Sequence, residues 1–177
     1  MFWRYVDDLN SKEPGTEAVV NSIPEMYVRM DNLIKRVREE LGKDDVLIIM
    51  SDHGFTSFRR EFNINTWLKQ EGYLSIKDNK ESDTEYLRNI DWAKTKAFGV
   101  GLGGIYINRA GRERLGVVSD NELSIVKSEL IQKLESLIDT ETRKKVIRKV
   151  YDSHKCYKGI YKDDGPDLII GCEPGLS

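Results

Sequence analysis

The sequence predicts an α/β layered fold, and three observations carry that expectation. An amphipathic helical pattern leads through a short turn into a continuous apolar run, Val46 to Met50. Two short β-prone runs, KAFGV and GIYIN, flank a glycine-rich stretch. A second helical pattern then precedes two more β-prone runs, KKVIRKVY and DLIIG. Helix, tight turn and buried strand in succession is the sequence pattern of α/β layering.

The elements follow in chain order. The first twenty residues read as irregular, with Phe2, Trp3 and Tyr5 as packing residues ahead of a polar loop. A helix starts near Ser22, an N-cap, with Pro24 in the first turn, where its missing N–H costs little. Met26, Met30, Leu33, Val37 and Leu41 recur at spacings of four and three, one apolar stripe that Gly42 closes as a C-cap. The run VLIIM is too short for a helix and rich in branched residues, so it reads as a strand buried on both faces, as in a parallel sheet. Asn63 to Gln70 reads as a short helix closed by Gly72, YLSIK as a short strand, and Asp78 to Asp91 as a polar surface excursion. KAFGV and GIYIN read as a hairpin. A long helix is expected from Asp120 to about Ile138, with Leu123, Val126, Leu130, Leu134, Leu137 and Ile138 on one face. The total expected is about four to six strands and three helices.

Composition narrows the classes of function. Hydrophobic residues are 39% and charged residues 33% of the 177, a balance that excludes disorder. The net charge of −2 lacks the basic excess of a nucleic-acid binder. No apolar run approaches the roughly 18 residues of a membrane span. The stretch MFWRYVDDLN has no apolar signal-peptide core. Cys156 and Cys172 make neither a disulfide framework nor a four-thiolate zinc site, so a reduced, cytoplasmic setting is expected.

The sharpest chemical signal is Ser51-Asp52-His53-Gly54, directly after the apolar run. Ligands of open α/β sheets collect outside the carboxyl ends of strands. A chain that turns at Gly54 lets Asp52 and His53 converge, and a carboxylate with an imidazole suits zinc or manganese. The alternative is an Asp capping a turn beside a surface His. Other motifs carry less. His154 with Cys156 lacks a second pair and reads as a partly exposed His beside a strand end. GVGLGG, residues 99–104, matches a dinucleotide-binding spacing but is followed by β-prone residues, so a tight hairpin explains it better. Arg59 and Arg60 could reach a phosphate oxygen, but a solvated pair beside Glu61 is preferred. Arg143-Lys144-Lys145 reads as an exposed strand edge or helix end, and Asp163 with Asp164 as turn residues before Gly165-Pro166.

Several segments taken together, MFWRYVDD, DDVLIIMSDHGFTSFRREFNINTWL, WAKTKAFGVGLGGIYINRAGRE and YKGIYKDDGPDLIIGCEPG, resemble the alkaline phosphatase superfamily, in its type I phosphodiesterase/nucleotide pyrophosphatase-like branch. The resemblance implies part of a three-layer α/β/α fold with a small hairpin-containing insertion. Its core α/β unit would span about 22–54, the insertion about 55–118, and the closing helix and strands about 119–172. It also implies metal-dependent hydrolysis of phosphate mono- or diesters in a small phosphorylated substrate. Two ions about 4 Å apart would clamp the attacking and leaving oxygens. Asp52 and His53 match the family's Asp-His ligands to one ion, zinc first and manganese second.

The same likeness implies gaps. The family's upstream Asp ligand, its Thr or Ser nucleophile, the His of a D-x-x-x-H motif and a further downstream His have no counterpart in these residues. The chain therefore reads as a carboxyl-side portion, inactive alone, with no catalytic residue assigned. Ser51 is adjacent to the pair but expected to point back toward the sheet. Uncovered sheet surface would favour self-association. The alternatives are a phosphomutase of the same superfamily and a non-catalytic binding or assembly module.

Overall fold

A computed structural model describes residues 17–54, 60–77 and 87–176. The chain divides into two compact units, Met1–Arg60 and Glu61–Ser177. Phe2, Trp3, Tyr5 and Arg59 lie outside the described residues, as does most of the predicted surface excursion.

In the first unit a short helix α1 (Glu17–Val20) leads into α2 (Ser22–Glu40). Pro24 sits in the first turn as expected, and the Ser22 hydroxyl donates to the Val19 carbonyl at 2.7 Å. The helix stops at Leu41, whose backbone is extended. Gly42 does not supply a left-handed cap; its N–H is instead bound by the Asp45 carboxylate at 2.7 Å. The apolar stripe is present but not covered: Met26, Met30, Leu33, Val37 and Leu41 are all exposed.

The run Val46–Met50 corrects the sequence reading. No strand is assigned there, and the five residues are 38 to 84% exposed. Branched residues favour an extended backbone, but a central strand also needs neighbours to bond. Among the described residues none pairs with this run.

The second unit is mixed α/β around one sheet. Helix α3 (Ile64–Gln70) is capped by Asn63, whose Oδ1 accepts the Thr66 N–H at 2.9 Å. Gly72 ends the turn with φ +76°. YLSIK forms no strand; only Ile76 makes a bridge, to Ile90, while Tyr73 and Leu74 pack into the core. Asn89 and Ile90 are also buried, so the end of the expected surface excursion belongs to the interior.

The predicted hairpin is present as β1 (Ala97–Val100) and β2 (Gly104–Ile107). Helix α4 (Asp120–Glu135) follows, opened by Ser119, whose N–H and hydroxyl both donate to the Glu122 carboxylate. It ends before Leu137 and Ile138; Ile138 is exposed and bridges Lys145 instead. Arg143, at φ +58°, turns the chain toward β3 (Ile147–Asp152), and Lys145 pairs with Ile138, so the basic run is an exposed bend that ends at a strand edge. A one-turn helix α5 (Ser153–Cys156) and a loop lead to β4 (Leu168–Cys172).

The four strands run β1-β2-β4-β3, and every pairing is antiparallel. The sheet is therefore not the parallel one expected around Val46–Met50. Alternation turns Ile105, Ile107, Leu168 and Ile170 inward, and an irregularity between Ile147 and Lys149 lets Ile147 and Val150, three apart, both be buried. Val126, Leu130 and Leu134 of α4, spaced four apart, join the same core with Trp67 and Leu68 of α3. Gly103, at φ +95°, lets β2 approach β4; a Cβ there would lie 3.0 Å from the Ile170 carbonyl oxygen.

Candidate functional site

Ser51 to Gly54 form a tight turn at the end of the extended run. The Ser51 hydroxyl donates to the His53 carbonyl at 2.6 Å, which turns it back along its own backbone. The Asp52 carboxylate uses Oδ1 to accept the His53 N–H at 3.0 Å. That bond leaves Oδ2 toward the imidazole, where it lies 3.3 Å from His53 Nε2. Both side chains are exposed, 85% for Asp52 and 61% for His53.

The ring's other nitrogen decides what this contact means. His53 Nδ1 lies 3.0 Å from the Gly54 carbonyl oxygen. A carbonyl only accepts, so that contact puts the ring proton on Nδ1. Nε2 then presents a lone pair to a carboxylate. Nε2 and Asp52 Oδ2 thus face one another as a nitrogen donor and an oxygen donor. A histidine ligand characteristically donates its other ring N–H to a carboxylate, a backbone carbonyl or water, and the Gly54 carbonyl lies within reach of Nδ1 in that manner. The donor set therefore fits a divalent ion, through one carboxylate and one imidazole. Among the described residues no group of three or more His, Cys, Asp or Glu is arranged to hold one.

The remaining sequence candidates lie elsewhere. His154 sits in α5 of the second unit, partly buried, with Nε2 3.5 Å from the Asp163 carboxylate. Its backbone N–H caps on Asp152, which also holds Lys127 at 2.6 Å. Burial opposes charge on Asp152, but Lys127 and the His154 N–H outweigh it and hold its pKa below the usual carboxylate value. Cys156 is exposed and a free thiol. The GVGLGG segment is the β1–β2 turn, with no helix at Gly104; Asn65 holds it by donating to the Gly99 carbonyl and accepting the Gly99 N–H.

Two polar anchors escaped the sequence reading. Asp167 is wholly buried, and its Oδ2 accepts the Ile107 N–H at 2.7 Å and Arg112 Nη2 at 2.6 Å. Arg112 also donates to the Ile107 carbonyl and, through Nε, to Glu113. Burial works against its charge, yet the Asp167 and Glu113 carboxylates raise its pKa further. Asn108, 1% exposed, donates from Nδ2 to the carbonyls of Trp92, Thr95 and Leu115. A lone Asp between Pro166 and an apolar run was the available signal, since a carboxylate entering a core strand requires a partner.

No helix among the described residues is long and apolar enough to cross a membrane. No curated protein and no solved structure matches the chain. A family model does: that of type I phosphodiesterase / nucleotide pyrophosphatase, over residues 6–177. Its members are phosphoric ester hydrolases of small phosphorylated substrates, generally dependent on divalent metal ions. The match agrees with the mixed α/β fold and spans nearly the whole sequence, so this chain belongs to the type I phosphodiesterase / nucleotide pyrophosphatase family.

Proposed function

We propose that this chain serves the metal-dependent hydrolysis of phosphate mono- or diesters, with Asp52 and His53 as ligands of one divalent ion. The observation that carries the proposal is the 3.3 Å approach of Asp52 Oδ2 and His53 Nε2, with Nδ1 anchored on Gly54. An oxygen and a nitrogen donor suit zinc first and manganese second. A divalent ion held there supplies Lewis-acid stabilisation of charge on a phosphoryl oxygen.

The chain's own residues orient the donors. The Gly54 carbonyl fixes the ring tautomer, the His53 N–H fixes one Asp52 oxygen, and the Ser51 hydroxyl is committed to the backbone. Ser51 therefore has no catalytic role in this reading. Two ligands fall short of the three protein ligands usual in catalytic zinc centres. Our reading thus assigns no nucleophile within residues 1–177 and draws the remaining ligands from elsewhere. The free thiols of Cys156 and Cys172 support a reducing, cytoplasmic setting.

The test is hydrolysis of 4-nitrophenyl phosphate and bis(4-nitrophenyl) phosphate with zinc or manganese added. Residues 1–177 alone are expected to release no nitrophenol above the metal-only rate. A longer protein that adds a nucleophile and further ligands is expected to do so, and Asp52→Ala in it should abolish turnover. Chelator-sensitive turnover by residues 1–177 alone would overturn the assignment of the nucleophile. Full activity of Asp52→Ala in the longer protein would overturn the ligand assignment.

A further inference from the structure

The loop from α5 to β4 is held at its base and exposed at its tip. Ser153 closes the base, donating its N–H and its hydroxyl to the Asp167 carbonyl at 3.1 and 3.0 Å. Arg112 Nη1 adds a bond to the Asp163 carbonyl at 3.5 Å. Between these anchors the chain turns twice, with the Lys162 N–H on the Gly159 carbonyl and the Asp164 N–H on the Tyr161 carbonyl. Gly159 enters the first turn at φ +120°, a value that residues with side chains rarely adopt. A loop whose ends meet in this way is a compact surface unit, of a kind that often carries function.

The central positions of a turn usually hold Gly, Pro, Asn, Asp or Ser. Here they are Ile160 and Tyr161, 85 and 75% exposed, and Tyr157 just ahead is 55% exposed. Lys155, Lys158 and Lys162 are interleaved with them, all exposed. No acid lies between Lys155 and Lys162, and among the described residues none of the three lysines is in an ion pair. Asp163 follows, with a carboxylate oxygen 3.5 Å from His154 Nε2, and then Asp164.

An apolar tip interleaved with lysines suits a protein partner or a membrane surface, and two arguments favour the membrane. Lysine is depleted in protein interfaces, and three apolar side chains are far fewer than the roughly 20–30 residues a side of a stable one. Tyrosine is enriched at the level of lipid headgroups, and lysine is drawn to anionic ones. We propose that Tyr157, Ile160 and Tyr161 enter the surface of a membrane containing anionic phospholipid, with Lys155, Lys158 and Lys162 on the headgroups. The loop then lies on the bilayer without spanning it. The site is independent of the Asp52–His53 assignment and stands if that assignment fails.

The test is co-sedimentation of the full chain with vesicles of phosphatidylcholine alone, or of an equal mixture of phosphatidylcholine and phosphatidylserine. Binding to the mixed vesicles is expected to be at least about tenfold tighter and to weaken with added salt. Ile160→Ser with Tyr161→Ser should lower it at least about tenfold, and so should Lys158→Glu with Lys162→Glu. Tyr161→Trp should bind at least as tightly as the unmodified chain, and its added emission should move to shorter wavelength with vesicles. The exposed α2 stripe is the competing contact, so Met30→Glu with Val37→Glu should leave vesicle binding unchanged. Equal affinity for the two vesicle types, loss of binding in the α2 variant, or full binding by either loop pair would overturn the proposal. A loop variant that instead sediments as a smaller species without vesicles would assign the tip to contact between copies, and would overturn it too. If circular dichroism shows one loop pair unfolded, the other decides.

Discussion

Arg112 and Asp167 form a paired contact across 55 residues of sequence, Nη2 to Oδ2 at 2.6 Å and Nη1 to Oδ1 at 3.3 Å. Asp167 also binds the Ile107 N–H at 2.7 Å, so one carboxylate ties the start of β4 to the end of β2. Removing Arg112 leaves a buried charge uncompensated. Arg112→Ala is expected to destabilise the second unit by about 3–5 kcal/mol. Urea unfolding monitored by circular dichroism measures this, and a loss below about 1 kcal/mol would contradict the role assigned to the pair.

A second ion pair sets an acid limit. Burial disfavours the charged form of Asp152, but Lys127, at 2.6 Å, and the His154 N–H together keep its folded pKa below the usual value. The native state therefore binds fewer protons than the unfolded chain in the acidic range. Stability from this group is complete above the unfolded carboxylate pKa, about 4, and is lost as pH falls through the lower folded value. Glu135 acts in the same direction, through the Val150 N–H and Lys149. Asp152→Asn should flatten part of the acid limb of a stability–pH curve while lowering stability at neutral pH. An acid limb of unchanged slope would show that Asp152 does not contribute.

In the first unit the α2 stripe and the run Val46–Met50 are both exposed, two runs of apolar residues rather than scattered single positions. We expect the chain to self-associate through them. Met30→Glu with Val37→Glu should shift sedimentation toward the monomer without altering α2 helicity, since both positions are solvent-facing. Unchanged sedimentation would place the contact elsewhere.

Local patterns were the legible part of this fold. The spacing from Met26 to Leu41 located α2, the Asp120 pattern located α4, and alternation around the glycines gave the β1–β2 hairpin. Val46–Met50 misled because composition reports a preference for extended backbone, whereas a strand also requires a bonded neighbour. The antiparallel order β1-β2-β4-β3 was not legible either, because β2 meets β4 across more than sixty residues. At the candidate site, sequence placed Asp52 and His53 next to each other. It could not show that Gly54 orients the ring, or that Asn108 and Asp167 hold the second unit together, because most of those partners are backbone groups and the one side-chain partner, Arg112, lies 55 residues from Asp167.

The β1–β2 turn offers a local check. Gly103→Ala must accommodate φ +95° and a contact near 3.0 Å with the Ile170 carbonyl. It should cost about 1–3 kcal/mol, whereas Gly72→Ala meets no neighbouring atom within 4 Å and should cost less. Equal losses in thermal unfolding would mean that the β2–β4 approach does not require a glycine.

The most direct test of the central claim is zinc titration of residues 1–177, followed by calorimetry and by the His53 ring resonances. The account predicts weak binding that perturbs the His53 ring, because two ligands are one short of a catalytic set. Affinity should fall on acidification, as protons compete for Nε2. Asp52→Ala and His53→Ala should each weaken binding at least about tenfold, since even the supporting partners of metal ligands are worth that much. Zinc binding of equal affinity in His53→Ala, or an ion that leaves the His53 ring unperturbed, would contradict it.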